Sequence, residues 1–462
     1  MLAAEHEPDA DREARTPGAG AAASARDLPR AHEGRWLAAI IAGAVALRLA
    51  LITTTAHLPT LFTDEYTFKR HVVFIHQSGL LKSFRDTNTS YVAYQYALWL
   101  LSFPYAWLGG AFDTDAMSLR VLVKLPPIGI DAALIATTYA VTRALWPRER
   151  SPWAPLAVAA IVAFHPVVVY DSAVWAQIDA VVGLTVLAAI FLAARGRPGA
   201  ACAMLAFGIL NKPQPVLFAP VLIVLIWRTS GPRGIARGAA VAAAVMVAPL
   251  LPWLVTGDVS RLAHVYRTLF SNGGKITALT QNAWNLWWFI PFDKVPESSD
   301  IFFHAAGIAV TYQRFSLATS MLAALLAAAY AWRFPDVRGG LVAAGFIAAA
   351  FYVLPTSTHE RYLYPLVVLL APALLVEPRF RWVYGLLSAT LFANMLLVAP
   401  PLASWSGRWD DALLTHYVAG VNVVVFAAYS AMLIFDLARS LSTARSASSA
   451  PAQFTPQAPE AP

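Results

Sequence analysis

The strongest constraint in this sequence is its succession of apolar blocks. Thirteen of them follow one another, at residues 36–54, 92–110, 119–142, 154–170, 175–194, 199–211, 213–227, 236–256, 306–332, 339–354, 362–377, 382–400 and 414–437, separated by breaks that mostly carry Arg or Pro. A helix crossing a bilayer needs about 20 largely apolar residues, and in lipid the backbone must satisfy its own hydrogen bonds. The expected fold is all-α, a polytopic membrane helical bundle of about 12 to 13 transmembrane or re-entrant helices. Composition agrees: 58% of residues are hydrophobic, 13% are charged and the mean hydropathy is +0.56, against about 25% charged in a soluble domain. The net charge of +7 does not mark a nucleic-acid binder, because the arginines sit at block ends, where they orient a membrane protein. Cys202 stands alone, so no intramolecular disulfide framework is possible.

Residues 1–35, rich in Ala, Pro and charge, and residues 438–462, rich in Ser, Ala and Pro, are expected to be disordered tails. Trp36–Thr54 reads as a retained first span rather than a signal peptide, since no small-residue cleavage signature follows it. Arg clusters at 143–150, 195–197, 228–237, 333–338, 379–381 and 439–445, with Arg26, Arg30 and Arg35, fall in the cytoplasm by the positive-inside rule. With both ends inside, the number of crossings is even, so one block fails to cross. The candidate is 92–110, rich in Tyr and interrupted by Pro104, as a juxtamembrane or re-entrant helix; the alternative places Arg143–Arg150 outside, against the rule. The transmembrane domain then spans 36–437 with outer loops at 56–91 and 257–305. This topology brings five polar sequences to the non-cytoplasmic face: FTDEYTFK (62–69), YDSAVWAQID (170–179), NKPQP (211–215), LTQNAWNLWW (279–288) and STHERYLYP (357–365).

These segments hold the residues able to carry chemistry. Between Ser151 and Gly257 the only acids are Asp171 and Asp179 and the only lysine is Lys212. Ionisable groups near lipid are costly and point to function by default, against the plainer reading of interfacial snorkelling; for Asp171, helix capping by the following Ser172 is an adequate explanation. Gln177 and Asp179 stand with Trp175 at a helix entry. Lys212 lies in a proline-broken segment, Asn211-Lys212-Pro213-Gln214-Pro215, and suits an anionic headgroup as a point charge. His359, Glu360 and Arg361 place a base, an acid and a bidentate cation in consecutive positions, Arg361 being suited to phosphate oxygens. The spacing is not that of a zinc helix, and no compact carboxylate cage argues for a metal, so none is expected. Asp64 and Glu65 begin an amphipathic surface stretch, from which a carboxylate can reach an acceptor hydroxyl presented from water. Gln281, Asn282, Trp284 and Asn285 pair amides with indoles, as sugar sites do, although Trp is also the ordinary interfacial anchor. Asp113 and Asp115 form a D-x-D too weak to carry a metal reading.

At these motifs the chain resembles the multispanning GT-C glycosyltransferases that use polyprenyl-phosphate sugars, most of all their bacterial mannosyl- or glucosyltransferase-like members. The resemblance covers residues 36–437 and is carried by Asp64 after the first span, by HPVVVYDSAVWAQIDA and NKPQP, by QNAWNLWW and by THERYLYP. It departs where relatives usually show Gly before the Gln, here Ala176, and Asn-Pro before the Asp-Ser segment, here His165-Pro166.

The resemblance implies Asp64 as catalytic base and Lys212, His359 and Arg361 around the lipid phosphate; Glu65, Gln177, Asp179 and Glu360 are expected in support. The expected activity is inverting transfer of a hexose, mannose or glucose, from polyprenyl phosphate to a glycan, lipid or protein hydroxyl at the outer face of the cell membrane, without a cofactor and without nucleic acid. A secondary transporter would show inverted-repeat symmetry, which is not evident, and a lipid-linked-sugar flippase or binding protein would use the same cations without needing Asp64.

Overall fold

A computed structural model describes residues 19–56, 63–86, 91–147, 150–256, 278–290, 296–398 and 412–448. The first half runs α1 (Ala19–Thr54), α2 (Thr63–Ser78), α3 (Leu80–Asp86), α4 (Val92–Trp107), α5 (Met117–Leu145), α6 (Trp153–Ala163), α7 (Pro166–Val169) with a π turn at Tyr170–Val174, α8 (Asp179–Ala194) and α9 (Pro198–Asn211). Then follow α10 (Ala219–Val247), α11 (Leu251–Thr256), α12 (Tyr312–Arg333), α13 (Val337–Val353), α14 (Tyr364–Leu370), α15 (Arg381–Val398) and α16 (Ala412–Ser448). Strand β1 (Thr280–Gln281) pairs in parallel with β4 (Thr358–His359), and β2 (Ile301–Ala305) forms a hairpin with β3 (Ile308–Thr311).

The molecule is an all-α polytopic bundle. Among the described residues, five helical stretches are long and apolar enough to cross a membrane, a sixth is the pair Trp153–Ala163 and Pro166–Val174 bent by 47°, and four apolar helices have 10–17 residues. Among the described residues, the apolar blocks thus become helices of unequal length. An apolar block is buried either by lipid or by protein, and sequence alone does not separate the two. Almost every residue of α13 and two thirds of those of α8 are buried by neighbouring helices. The helix α4, with Pro104 inside it, is outside both groups. So is α5, which carries Arg120, Lys124 and Asp131.

The stretch Gln214–Leu250 is two arms. Gly231 sits at φ +63°, and a Cβ on Gly234 would lie 3.3 Å from the Ile226 side chain, whereas eight residues of continuous helix span about 12 Å. The chain therefore doubles back at Gly231-Pro232. The helical centre is tight: a Cβ on Gly183 of α8 would meet Val368 of α14 at 3.0 Å, the close approach that small residues permit in membrane bundles.

The expected tails fall only partly within the described residues. Residues 19–35 are helical, as the start of α1, and α16 continues to Ser448; both stretches are rich in Ala, the strongest helix former. Residues 1–18 and 449–462, and much of the expected loops 56–91 and 257–305, lie outside the described residues. At the end of the bundle remote from β1 and β4, Arg379 pairs with Asp436 through two 2.6 Å contacts and with Glu377 at 2.9 Å, while Arg338 reaches Glu377 at 2.9 Å. These bonds join α16 to the ends of α13 and α15.

Candidate active site

Each element of the site is set by local chemistry. Pro213 disfavours helical backbone in the residue before it, so Lys212 leaves α9 in an extended conformation, φ −146° and ψ 144°. The π turn at Tyr170–Val174 delays the helix end, and Ala176 then takes φ +64°, a left-handed conformation that a side chain adopts at a cost. The turn delivers Gln177 beside Asp179, the first residue of α8, where a carboxylate is favoured by the helix dipole. Asp64 and Glu65 occupy the first turn of α2 for the same reason.

These turns converge. Lys212 Nζ donates to Asp179 Oδ1 at 2.6 Å and to Gln177 Oε1 at 3.1 Å, and Gln177 Nε2 donates to Asp64 Oδ2. Arg361 faces three carboxylates at once: Nη1 donates to Glu360 at 2.5 Å, Nε lies 3.4 Å from Asp179 and Nη2 lies 3.8 Å from Asp64. Its guanidinium stands over the Trp175 ring, 5.3 Å from the centroid, which adds a cation–π attraction. His359 Nδ1 is 3.7 Å from Glu360 Oε2. Burial works to raise the Glu360 carboxyl, but the His359 and Arg361 contacts prevail and hold it below the ordinary carboxylate value.

Exposure sorts these groups. The Asp64 side chain is 30% exposed, while those of Asp179 and Glu360 are at 5% and 3%. His359 is the other partly open group. Asp171 is fully buried beneath them with neither carboxylate oxygen hydrogen-bonded.

Glu65 turns away from this cluster. It is buried among Lys69 at 2.9 Å, Lys124 at 3.0 Å and Arg120 at 3.5 Å. Burial works to raise its carboxyl, and the three cations outweigh it and lower it. Lys124 also donates to the Ala173 and Val174 carbonyls, at 2.8 and 3.1 Å, satisfying acceptors that the π turn leaves unpaired. A further buried pair, Arg48 with Asp131 at 2.6 Å, braces Ser172 at 3.2 Å. The sequence reading passed over Lys124, Arg120, Asp131 and Arg48, although charges inside apolar blocks are the signal that exposes such groups.

The aromatic loop is stitched to the same site. Thr280 is in register with Thr358 and Gln281 with His359, and Asn282 bridges to His359. Trp284 and Asn285 are buried and committed within the protein: the Trp284 backbone N–H donates to Tyr352 Oη and Asn394 Oδ1, Asn422 donates to its backbone carbonyl, and Asn285 caps Trp287 and donates to the Pro355 carbonyl. Gln281 is half-buried and Asn282 exposed. Among the described residues, no group of three or more His, Cys, Asp or Glu is arranged to hold a metal ion.

Residues 127–358, half of the chain, match a family model whose class is the membrane glycosyltransferases. The chain belongs to glycosyltransferase family 87, a GT-C-like family. No curated protein matches it. The matched region contains Gln177, Asp179, Lys212 and the aromatic loop; Asp64, His359, Glu360 and Arg361 lie outside it.

Proposed function

We propose that this membrane glycosyltransferase moves a hexose, mannose or glucose, from a polyprenyl-phosphate donor to an acceptor hydroxyl at the non-cytoplasmic face, with inversion. The observation that carries the reading is Asp64: a partly open carboxylate, oriented by Gln177, at the mouth of an otherwise buried ion cluster. The orientation is supported by the position of the arginine-bearing turns at Arg195, Gly231 and Arg379, which lie at the other ends of the helices that carry the site.

The reaction is a single displacement. The acceptor hydroxyl gives its proton to Asp64 as its oxygen forms a bond to the anomeric carbon. The bond from that carbon to the phosphate oxygen breaks, and the polyprenyl phosphate leaves with the electron pair. Lys212, Arg361 and His359 meet the charge on the departing phosphate. Asp179 and Glu360 hold the two cations in fixed positions, so the stabilisation is preorganised rather than gathered during the reaction. Gln281 and Asn282 are the amides placed to contact a sugar or acceptor, and Trp284 and Asn285 hold their strand. Glu65 supports Asp64 by anchoring the first turn of α2. The acceptor is a glycan, lipid or protein, and neither a metal nor a cofactor is given a role.

The test is transfer of label from synthetic polyprenyl-phosphate mannose and glucose to an extracted membrane acceptor pool, by wild type beside Asp64→Asn and Arg361→Ala. Label should move with wild type only and survive full chelation. Donor binding without turnover by any form, or a strict Mg or Mn requirement, would overturn the reading.

A further inference from the structure

We infer that the β2–β3 hairpin is a membrane-docking element, seated in the headgroup–acyl boundary of the leaflet at the site end of the bundle, and that what covers it is bilayer lipid. The hairpin has the wrong surface for water. From Ile301 to Gln313 the only titratable side chains are His304 and Tyr312, and Phe302, Phe303 and Ile308 are 41%, 39% and 64% exposed. Its turn, Ala306 at φ +49° and Gly307 at φ +80°, projects into open space.

Its root identifies the occupant. Phe302 and Phe303 pack on Phe315, with ring centroids 5.4 and 5.9 Å away, at the end of the first turn of α12. Residues seven apart share a helix face, so this contact caps the stripe that continues through Leu322, which is 65% exposed on one of the long apolar helices. Apolar side chains in that stripe face lipid, and the hairpin prolongs the same surface.

Backbone chemistry fixes the depth. A two-stranded hairpin has unpaired N–H and C=O groups along both outer edges, each costing several kcal/mol in hydrocarbon. The hairpin therefore stays where its side chains enter lipid while its edges keep water. Asp300 before it and Arg314 after it mark the aqueous side, Arg314 donating back to the Ala309 carbonyl at 3.1 Å. The element also reaches the site: Phe302 stacks edge-on against Trp287 at 5.9 Å, in the loop whose strand pairs with His359.

The lone Cys202 makes a direct test practical. In a Cys202→Ser background, Ile308→Cys, Ala306→Cys and, as an aqueous reference, Ser299→Cys are labelled with an environment-sensitive fluorophore and placed one copy per lipid nanodisc. The labels at 308 and 306 should be quenched at least about twofold more by a nitroxide near the headgroup than by one near the chain terminus, since interfacial segments sit about 5–10 Å deep, and they should resist aqueous iodide. The Ser299 label should respond to iodide alone. Iodide quenching at 308 and 306 equal to that at 299 would overturn the inference, as would lipid shielding that appears only with two or more copies per disc, which would mean that a second copy covers the face.

Discussion

Asp64 and Glu65 are neighbours in the chain and opposites in the fold. Successive residues of a helix point about 100° apart, so one acid faces the site and the other faces inward. The site sets three carboxylates, Asp64, Asp179 and Glu360, around two cations, and opens through Asp64 and His359. The inner cluster sets one carboxylate among three cations and is sealed. The acid excess of one lies beside the cation excess of the other, so the two partly offset each other. An open carboxylate with spare acceptor capacity can take a proton from a substrate, and a sealed one surrounded by ammonium and guanidinium groups can only hold structure together.

The comparison breaks first at Asp64. Asp64→Asn should lower transfer by about 10² to 10⁴-fold, the usual worth of a general base, with donor binding retained; equal activity in a transfer assay would end the distinction between the two acids. Arg361→Lys keeps the charge but loses the fork that serves three carboxylates, and a fall in kcat of about 10²-fold is expected. A variant as active as wild type would show that Arg361 acts only as a point charge.

Stability sharpens the other half. Lys124→Met leaves the Ala173 and Val174 carbonyls without a donor and should cost about 1–3 kcal/mol, read as a lower Tm. Lys69→Met should cost less, because Glu65 keeps two cations and the local excess of positive charge falls. The reverse order would mean that the cluster works by charge count and not by bracing the turn.

Acid should act first on α2. Burial, with Arg70 beside it, lowers the His71 imidazole to about 4, below the ordinary value of 6.5. The folded state binds fewer protons in that interval, so the His71 contribution is complete above pH 6.5 and is lost as pH falls toward 4. The lowered Glu65 contributes fully above its ordinary value of 4.5 and is lost only below it. Thermal melts should therefore weaken between pH 6.5 and 4, and His71→Gln should flatten that slope while leaving the Glu65 loss at lower pH. The smallest effect is expected at Ala176. Ala176→Gly removes left-handed strain and should raise stability by up to about 1 kcal/mol, less the backbone entropy of Gly.

What was legible in the sequence follows from what apolar and charged residues must do. The bundle could be read because lipid and protein interiors alike demand apolar helices, and for the same reason the surroundings of each helix could not: α8 and α13 are as apolar as lipid-facing helices and are wrapped by protein. Lys212, Gln177 and Asp179 stood out because so few charges or breaks surround them, and the structure brings them to Asp64, His359 and Arg361. Glu65 was told from Asp64 only by the resemblance, since which of two adjacent side chains on α2 faces the site depends on how the helix packs. The Trp284 indole and the Asn285 amide were expected at a sugar; that Tyr352, Asn394 and Asn422 of distant helices hold the Trp284 backbone, and that Asn285 reaches Pro355, is not visible in a polar loop. Lys124 was hidden inside a block read only for its hydropathy.

The parallel pairing of β1 with β4 governs when this protein can begin to work. Ser357 bonds to Ala278 across 79 residues, and Asp64 meets Gln177 across 113. Contacts of such long range are the last to be rewarded as a chain organises. During synthesis, α12 and α13 must both be in place before the strand that carries His359 finds its partner. A nascent chain released short of Arg361 would hold most of its membrane helices and the Asp64, Gln177, Asp179 and Lys212 part of the site without its second cation, so the site is finished only after more than three quarters of the chain has been made.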